Sequence, residues 1–224
     1  MPAHRAIILV TLAASLTACV FGGRETPLGR AAARGDVKEM TALLDRGANP
    51  DAEGAYGMTP LASAARNGRT EAIDLLLAHG ADAHRGCGVN NWTPLLHALH
   101  KNQVAAALRL LETCKAPSAE LDDALFMAAG YAQTEAVAEL LKRGADPNKD
   151  FGDGANALSN AVAGAFDIDY SYRGCDAHTE TAKALMASPG GTLKGTAGVS
   201  ARRSAERRGC AAMLAMLDEP QASR

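Results

Sequence analysis

Aromatic residues make up only 4% of this 224-residue chain, and Trp92 is its single tryptophan. A large globular core leans on such rings for bulk, so this interior must be filled with something smaller. Alanine, leucine and methionine are what the chain has, and they need helices that approach closely and stack. An excess of one charge is also lacking: 23 basic residues face 25 acidic ones, a net charge of −2. No basic block or aromatic–basic stripe occurs, which argues against nucleic acid as a partner. Arg202-Arg203 and Arg207-Arg208 flank Glu206 and read as a solvated helix face.

Signatures of catalysis are missing too. There is no Gly-x-Ser-x-Gly elbow, and no cysteine has a histidine partner placed by the sequence. Residues 190–196 (GGTLKGT) lack the Gly-Lys-Ser/Thr order of a phosphate loop. His97-x-x-His100 sets two imidazoles on one helix face, half of a zinc site, with no third ligand in view. Asp167, Asp169 and Asp176 do not keep calcium-loop spacing and read as a solvated acidic loop. The expectation is a protein that is not an enzyme and holds no cofactor, metal or small-molecule substrate; a metal-dependent enzyme is a remote alternative.

Long apolar runs are also absent. The longest N-terminal run, AIILVTLAASLTA at residues 6–18, has 13 residues after Arg5, against the roughly 20 needed to span a bilayer. It fits the apolar core of a secretory signal. The run ends in Leu16-Thr17-Ala18-Cys19, which resembles the lipobox of bacterial lipoproteins. The resemblance implies a signal peptide at 1–18, a lipidated Cys19 and a short tether at 19–25. An ordinary secretory signal cut near Ala18, with Cys19 incidental, is the alternative. Several acyl chains together hold stably to a membrane. Val20, where lipoproteins kept at the inner membrane carry Asp, implies the outer membrane and a periplasmic location. The mature chain would carry 22 basic and 25 acidic residues.

What the chain has in plenty is repetition. TPLGRAAARGDVKEMTALLDRGANP begins at Thr26 and TPLASAARNGRTEAIDLLLAHGADA at Thr59. TPLLHALHKNQVAAALRLL follows at Thr93, and DALFMAAGYAQTEAVAELLKRGADPN at Asp123. A fifth unit opens as NALSNAVAGAF at Asn156, and a sixth, more polar one ends the chain as VSARRSAERRGCAAMLAML. Leu28, Leu61, Leu95, Leu125 and Leu158 share one register, with spacings of 33, 34, 30 and 33 residues.

Each unit carries its own local logic. Thr59 and Thr93 can cap a helix start, and Pro60 and Pro94 stand where a missing N–H is harmless. Ala64 and Ala65 let first helices lie close, Gly68 turns the chain, and Ile73, Leu75, Leu76 and Leu77 give the second helix a buried stripe. Gly47, Gly80 and Gly144 suit the left-handed residue that ends a helix. Period and signature together closely resemble the ankyrin-repeat family. The resemblance implies an all-α solenoid of helix-turn-helix units with hairpin-like loops over 26–218, and a tail at 219–224.

Departures from the register stand out. The third unit ends in Cys114-Lys115-Ala116-Pro117 in place of Gly-Ala-Asp, shortening its exit. The spacing from Leu158 to Arg202, taken as its match in the last unit, is 44 residues, an excess of about 11 over the ankyrin period placed at 167–176 between two helices of one unit. Arg30 and Arg202 replace apolar residues in the end units, as wet caps require.

Four cysteines follow Cys19. In an exported chain an even number invites disulfides. The repeat arrangement suggests Cys87 with Cys114, across one unit, and Cys175 with Cys210, at turns of adjacent units. Free thiols filling small gaps are the alternative.

Ankyrin proteins bind partners through hairpin tips and the exposed face of first helices. By position the resemblance therefore implies Tyr56, Met58 and Trp92 at the tips, with Arg66, Asn67, His100, Lys101 and Tyr131 on the helix face. Large aromatics and Arg are favoured at binding hot spots. Trp92 ranks first, unless it merely packs over a neighbouring hairpin. Tyr170, Tyr172 and Arg173 form a second patch, unless that loop is disordered. The functional expectation is a membrane-anchored periplasmic module that binds, shields or inhibits a protein partner, in an immunity-like or enzyme-supporting role. An envelope scaffold or stress protein without inhibitory action is the alternative.

Overall fold

The structure, a computed structural model, describes residues 24–164, 174–188 and 196–218. The expected signal peptide, Cys19, Val20, Asp167, Asp169, Tyr170, Tyr172, Arg173 and the tail lie outside the described residues. Within them are twelve α-helices and no strand. In chain order these are α1 Pro27–Arg34, α2 Val37–Asp45, α3 Pro60–Arg66, α4 Thr70–Ala78, α5 Pro94–His100 and α6 Val104–Thr113. They continue with α7 Ser118–Gly130, α8 Thr134–Lys142, α9 Ala157–Ala163, α10 Cys175–Ala187, α11 Thr196–Arg208 and α12 Ala211–Asp218. Among the described residues, no helix is long and apolar enough to cross a membrane.

The local signals act as the sequence predicts. Thr26, Thr59 and Thr93 each accept a hydrogen bond from the backbone N–H three residues on, at 2.9, 3.2 and 3.5 Å. Asn156 and Ser159 close a reciprocal capping box at the start of α9. Proline follows the three threonines at the first helical position. Each helix pair therefore starts at a place written locally, before any packing is considered.

The odd-numbered helices pack in one row, α1 against α3 and so on to α11, and the even-numbered ones form a second row behind it. Small residues at the contacts bring the first row closer together than the second, which makes the first row the concave side. One triplet is buried in every unit: Leu61-Ala64-Ala65, Leu95-Ala98-Leu99, Leu125-Ala128-Ala129 and Leu158-Ala161-Val162. Each such leucine contributes roughly 1.5–3 kcal/mol by leaving water. In the second row Ile73 and Leu76 are fully buried, whereas Leu75 and Leu77 only lean on the core.

Polar ties run along the stack. Carbonyls near a helix C-terminus lack an intrahelical donor, and side chains of the next unit supply one. Arg69 Nε donates to the Ala33 carbonyl at 3.2 Å, and the buried Gln133 Nε2 donates to the Leu99 carbonyl at 2.7 Å. Asn160 Nδ2 adds a further bond to the Phe126 carbonyl inside α7 at 2.7 Å. Side chains of one unit thus hold the backbone of its predecessor.

Two departures take a different form from that expected. The short exit of the third unit is absorbed by α7, whose 13 residues exceed the seven of α3 and α5; a longer helix replaces the missing hairpin. In the last unit the buried triplet is Ala201-Ser204-Ala205, so Ala201, and not Arg202, takes the place of Leu158. Arg202 is exposed and pairs with Asp218 of α12.

The cysteines divide. Cys175, the first residue of α10, and Cys210, just before α12, are joined as a disulfide with Cα atoms 5.6 Å apart. Cys87 and Cys114 are free thiols, which corrects the expected pairing. The reason is direction. Cys87 is buried facing back to Thr59 of the preceding unit, its Sγ 4.0 Å from Thr59 Oγ1. Cys114 leaves α6 in an extended conformation, leading on towards α7.

Candidate protein-binding face

The hairpins feed the first row, so each tip stands beside the concave side. In the third unit the Cys87 N–H donates to the Trp92 carbonyl at 3.0 Å, pairing the two residues as an antiparallel bridge. The turn between them holds Gly88 at φ 73° and Asn91 at φ 52°. Gly88 is required for space as well. A Cβ there would sit 3.2 Å from Met58 Sδ and 3.3 Å from His97 Cε1, where adjacent hairpins and α5 meet.

Trp92 is half-buried, with its ring against α5 of its own unit. Its ring centre lies 5.8 Å from that of His97 and 4.9 Å from that of His100. The cluster continues into the next unit, where His100 Nδ1 and Tyr131 Oη are 2.9 Å apart. Trp92, His100 and Tyr131 are therefore brought together into one patch across α5 and α7.

His97 forms its floor. The ring is 4% exposed, and its Nε2 donates to the Cys87 carbonyl at 3.3 Å. That bond fixes the Nε2–H tautomer, leaving Nδ1 buried with no hydrogen-bond partner. Burial holds the imidazole below its ordinary pKa, outweighing the carbonyl bond, and the charges of Arg66 and His100 push the same way. The two histidines read as half a zinc site thus serve as packing and hydrogen-bonding groups. Among the described residues, no cluster of three or more His, Cys, Asp or Glu stands ready for a metal.

The other expected contact residues are spread over the same side. Tyr56 sits at the preceding tip in a left-handed conformation, φ 57°, and is 73% exposed. Met58 is half-buried, its carbonyl accepting from the Gly54 N–H at 2.8 Å. Asn67 turns inward to donate from Nδ2 to the Ser63 carbonyl, whereas Arg66 and Lys101 stand half-buried at the ends of α3 and α5.

Sequence reasoning missed two tip residues. Val89 is 85% exposed, and Phe151 is 36% exposed while stacking at 4.3 Å on Phe126 of α7. Together with Tyr56 they leave a large apolar side chain in water on each of three hairpins. The only signal was positional: each sits in or beside a Gly-containing turn, as Tyr56 does.

The tips are also tied to one another. The Asp82 N–H donates to Asp51 Oδ1 at 3.0 Å, and Arg85 pairs with Glu53 at 2.5 Å. Further along, His84 Nδ1 lies 2.7 Å from the buried Glu120 carboxylate at the start of α7. The apolar tips therefore stand on a cross-braced base.

Comparison with known proteins agrees with the fold. Residues 8–86 match the family model described as ankyrin repeats (3 copies). A probable E3 ubiquitin-protein ligase, XBOS33, of Oryza sativa subsp. japonica is 36% identical over 103 residues, which cover 46% of this chain and 20% of that protein. Cyclin-dependent kinase 4 inhibitor B of Rattus norvegicus is 39% identical over 61 residues, 27% of this chain and 46% of the inhibitor. Human cyclin-dependent kinase inhibitor 2A is 46% identical over 55 residues, 25% of this chain and 35% of the inhibitor. The chain spans a fifth or less of the length of the first three curated relatives that it matches. The chain carries ankyrin repeats, stacked as an all-α solenoid of a class that serves in general as a non-catalytic scaffold for binding other proteins.

Proposed function

We propose that the chain is an exported, lipid-anchored module that holds a protein partner on its hairpin tips and first-row helices, shielding or inhibiting it close to a membrane. The observation that carries the binding face is the exposure of Tyr56, Val89 and Phe151 at three tips. Large apolar side chains kept in water on braced loops lose nothing on folding if removed, so their value lies in what they meet. Trp92, His100 and Tyr131 extend the face onto the helices. The inhibiting mode draws support from two relatives that are, by name, inhibitors of cyclin-dependent kinases.

The anchor rests on the apolar run that ends in Leu16-Thr17-Ala18-Cys19. Seven residues separate Cys19 from Pro27, and at no more than about 3.6 Å each they reach roughly 25 Å. A partner held by this module therefore lies near the membrane surface. Outer-membrane attachment on the periplasmic side is the location that Val20 favours.

Two measurements test the proposal. Labelled palmitate should enter the wild type and not Cys19→Ala, which should move to the soluble fraction; a membrane-bound, unlabelled Cys19→Ala would refute the anchor. Affinity purification from envelope fractions should recover a partner with wild type and lose it with Tyr56→Ala and Trp92→Ala. Equal recovery by all three proteins would place the binding face elsewhere.

A further inference from the structure

The Phe151 tip differs from the others in what surrounds it. Its ring stacks on Phe126 of α7, with centres 4.3 Å apart and planes inclined by 34°. The Phe151 N–H donates to the Ala155 carbonyl at 2.8 Å, and the Ala155 N–H to the Gly152 carbonyl at 2.8 Å, so the tip is held in shape. Phe126 is half-buried and Phe151 exposed, which leaves one aromatic surface in water where α7 meets the hairpin of residues 144–155. Carboxylates border this surface. Residues three and four apart share a helix face, with Cβ atoms about 5–6 Å apart, so Asp122 and Asp123 lie on the side of α7 that carries Phe126. The Asp146 N–H donates to Asp122 Oδ1 at 2.8 Å and ties the base of the hairpin to that turn. Asp150 and Asp153 flank Phe151 in the chain. Asp146 and Asp150 each accept a backbone N–H through Oδ1, at 2.9 and 2.8 Å, which leaves their charge in place. Arg143 is turned away, its Nε donating to Glu139 of α8 at 2.7 Å, and the buried Glu120 is already paired with His84. Lys149 is the only cation among the charges acting on Asp123, and it is outweighed. Burial first, then the charge of Asp122, hold the Asp123 carboxyl above its ordinary pKa.

We propose that this surface seats an arginine side chain of the partner protein, its guanidinium over the Phe151 ring and its N–H groups reaching Asp122 and Asp123. The inference rests on the binding face proposed above, of which Phe151 is one tip, and names what that tip takes. An aromatic face attracts a cation through its quadrupole, and a planar guanidinium stacks on it. The same guanidinium offers carboxylates a fork of donors that an ammonium lacks. A purely apolar occupant would cover Phe151 but cut the neighbouring carboxylates off from water without a partner. An acidic segment or an anionic headgroup would meet a net negative border. A divalent cation would engage carboxylates alone and gain nothing from the stacked rings; among the described residues no cluster of three or more His, Cys, Asp or Glu is placed to hold one.

The probe is a fluorescein-labelled 15-residue peptide alternating Arg and Ser, titrated by anisotropy against the full chain in detergent. One counterpart carries citrulline, the uncharged isostere, in place of Arg, and another carries Lys. The Arg peptide should bind, the Lys peptide more weakly, and the citrulline peptide not at all. Phe151→Leu keeps the apolar bulk and loses the ring face, and should weaken binding of the Arg peptide by about threefold to fivefold. Asp122→Asn with Asp123→Asn keeps an acceptor for the Asp146 N–H; it should cost about as much and flatten the salt dependence. Glu71→Gln with Glu135→Gln, an equal change of charge on the second row, should cost nothing. Equal losses from the two double variants would mean that only net charge is sensed, and would overturn the site. Full affinity in Phe151→Leu, or equal binding of the citrulline peptide, would overturn it too. So would displacement of the peptide by calcium ions at matched ionic strength, which would put a metal ion there. If these arms fail while Tyr56→Ala still loses the envelope partner, the face stands and the chemistry of this tip is wrong. If Tyr56→Ala and Trp92→Ala also change nothing, the face itself falls.

Discussion

Reducing the Cys175–Cys210 bond should loosen the last two units and leave the first three as they were. The bond closes a loop with a sequence separation of 35 residues. In the chain-entropy description the unfolded chain regains about 2.1 + 1.5R ln 35, near 13 cal/mol/K, when such a link is cut. At 25 °C that is about 4 kcal/mol. The link joins α10 to α12 in the second row, and among the described residues these helices pack chiefly on α7, α8, α9 and α11. In a linear array each unit's stability depends on itself and its neighbours. The loss should therefore stay local.

Hydrogen exchange read by mass spectrometry, with and without a phosphine reductant, resolves this. Peptides from α10–α12 should lose up to about a thousandfold in protection, the equivalent of 4 kcal/mol in opening free energy. Peptides from α3–α5 should not change. Cys175→Ser with Cys210→Ser should reproduce the effect without reductant, while Cys87→Ser, at a free thiol, should not. Equal acceleration in α3–α5 would show that the array opens as one unit, and the one-dimensional reasoning would fail. Unchanged exchange in α10–α12 would show that the link constrains nothing.

The remaining predictions concern the core and the floor of the binding face. Leu125→Ala, at a side chain with no exposure, should lower unfolding free energy by roughly 2–5 kcal/mol in urea titrations; a loss under 1 kcal/mol would mean the site collapses freely. Gln133→Ala removes the side-chain donor to the Leu99 carbonyl, which keeps the Asn102 N–H, and should destabilise by roughly 0.5–1.5 kcal/mol, whereas Lys38→Ala should stay within about 0.5 kcal/mol. His97 binds a proton less readily in the folded chain than in the unfolded one. Its contribution is thus fully present above the ordinary value of about 6.5 and is lost as pH falls from there towards the folded value. The urea midpoint should drop more between pH 7.5 and 5.5 in the wild type than in His97→Leu; identical drops would refute the linkage.

Most of the array was legible because its signals are local and recur in phase. Thr59-Pro60-Leu61 announces a cap, a first turn and a core residue within three positions, and Thr93-Pro94-Leu95 repeats the message. Where the phase broke, reading by alignment failed. Arg202 looked like the match for Leu158 by counting, yet burial of Ala201, Ser204 and Ala205 shows the helix turned by one residue. Cysteine pairing was harder again, since it depends on which way a loop residue faces. Cys87 faces back to Thr59, and nothing in its spacing from Cys114 says so.

The candidate binding face was half legible for a related reason. Trp92 and Tyr131 stand out by size, but their union through His100 depends on two units stacking. Val89 and Phe151 were missed because nothing in their neighbourhood distinguishes an exposed tip residue from one that folds back, as Met58 does. What the register holds constant is the scaffold, and what it lets vary is the exposed surface. Position 97 makes the point. Its equivalents in the neighbouring units are Ser63 and Met127, yet here a histidine carries a tryptophan, a hairpin carbonyl and an unshared lone pair. That buried ring meets Trp92 edge-on at the start of α5, so a position that packs the core elsewhere here supports the tryptophan at the hairpin.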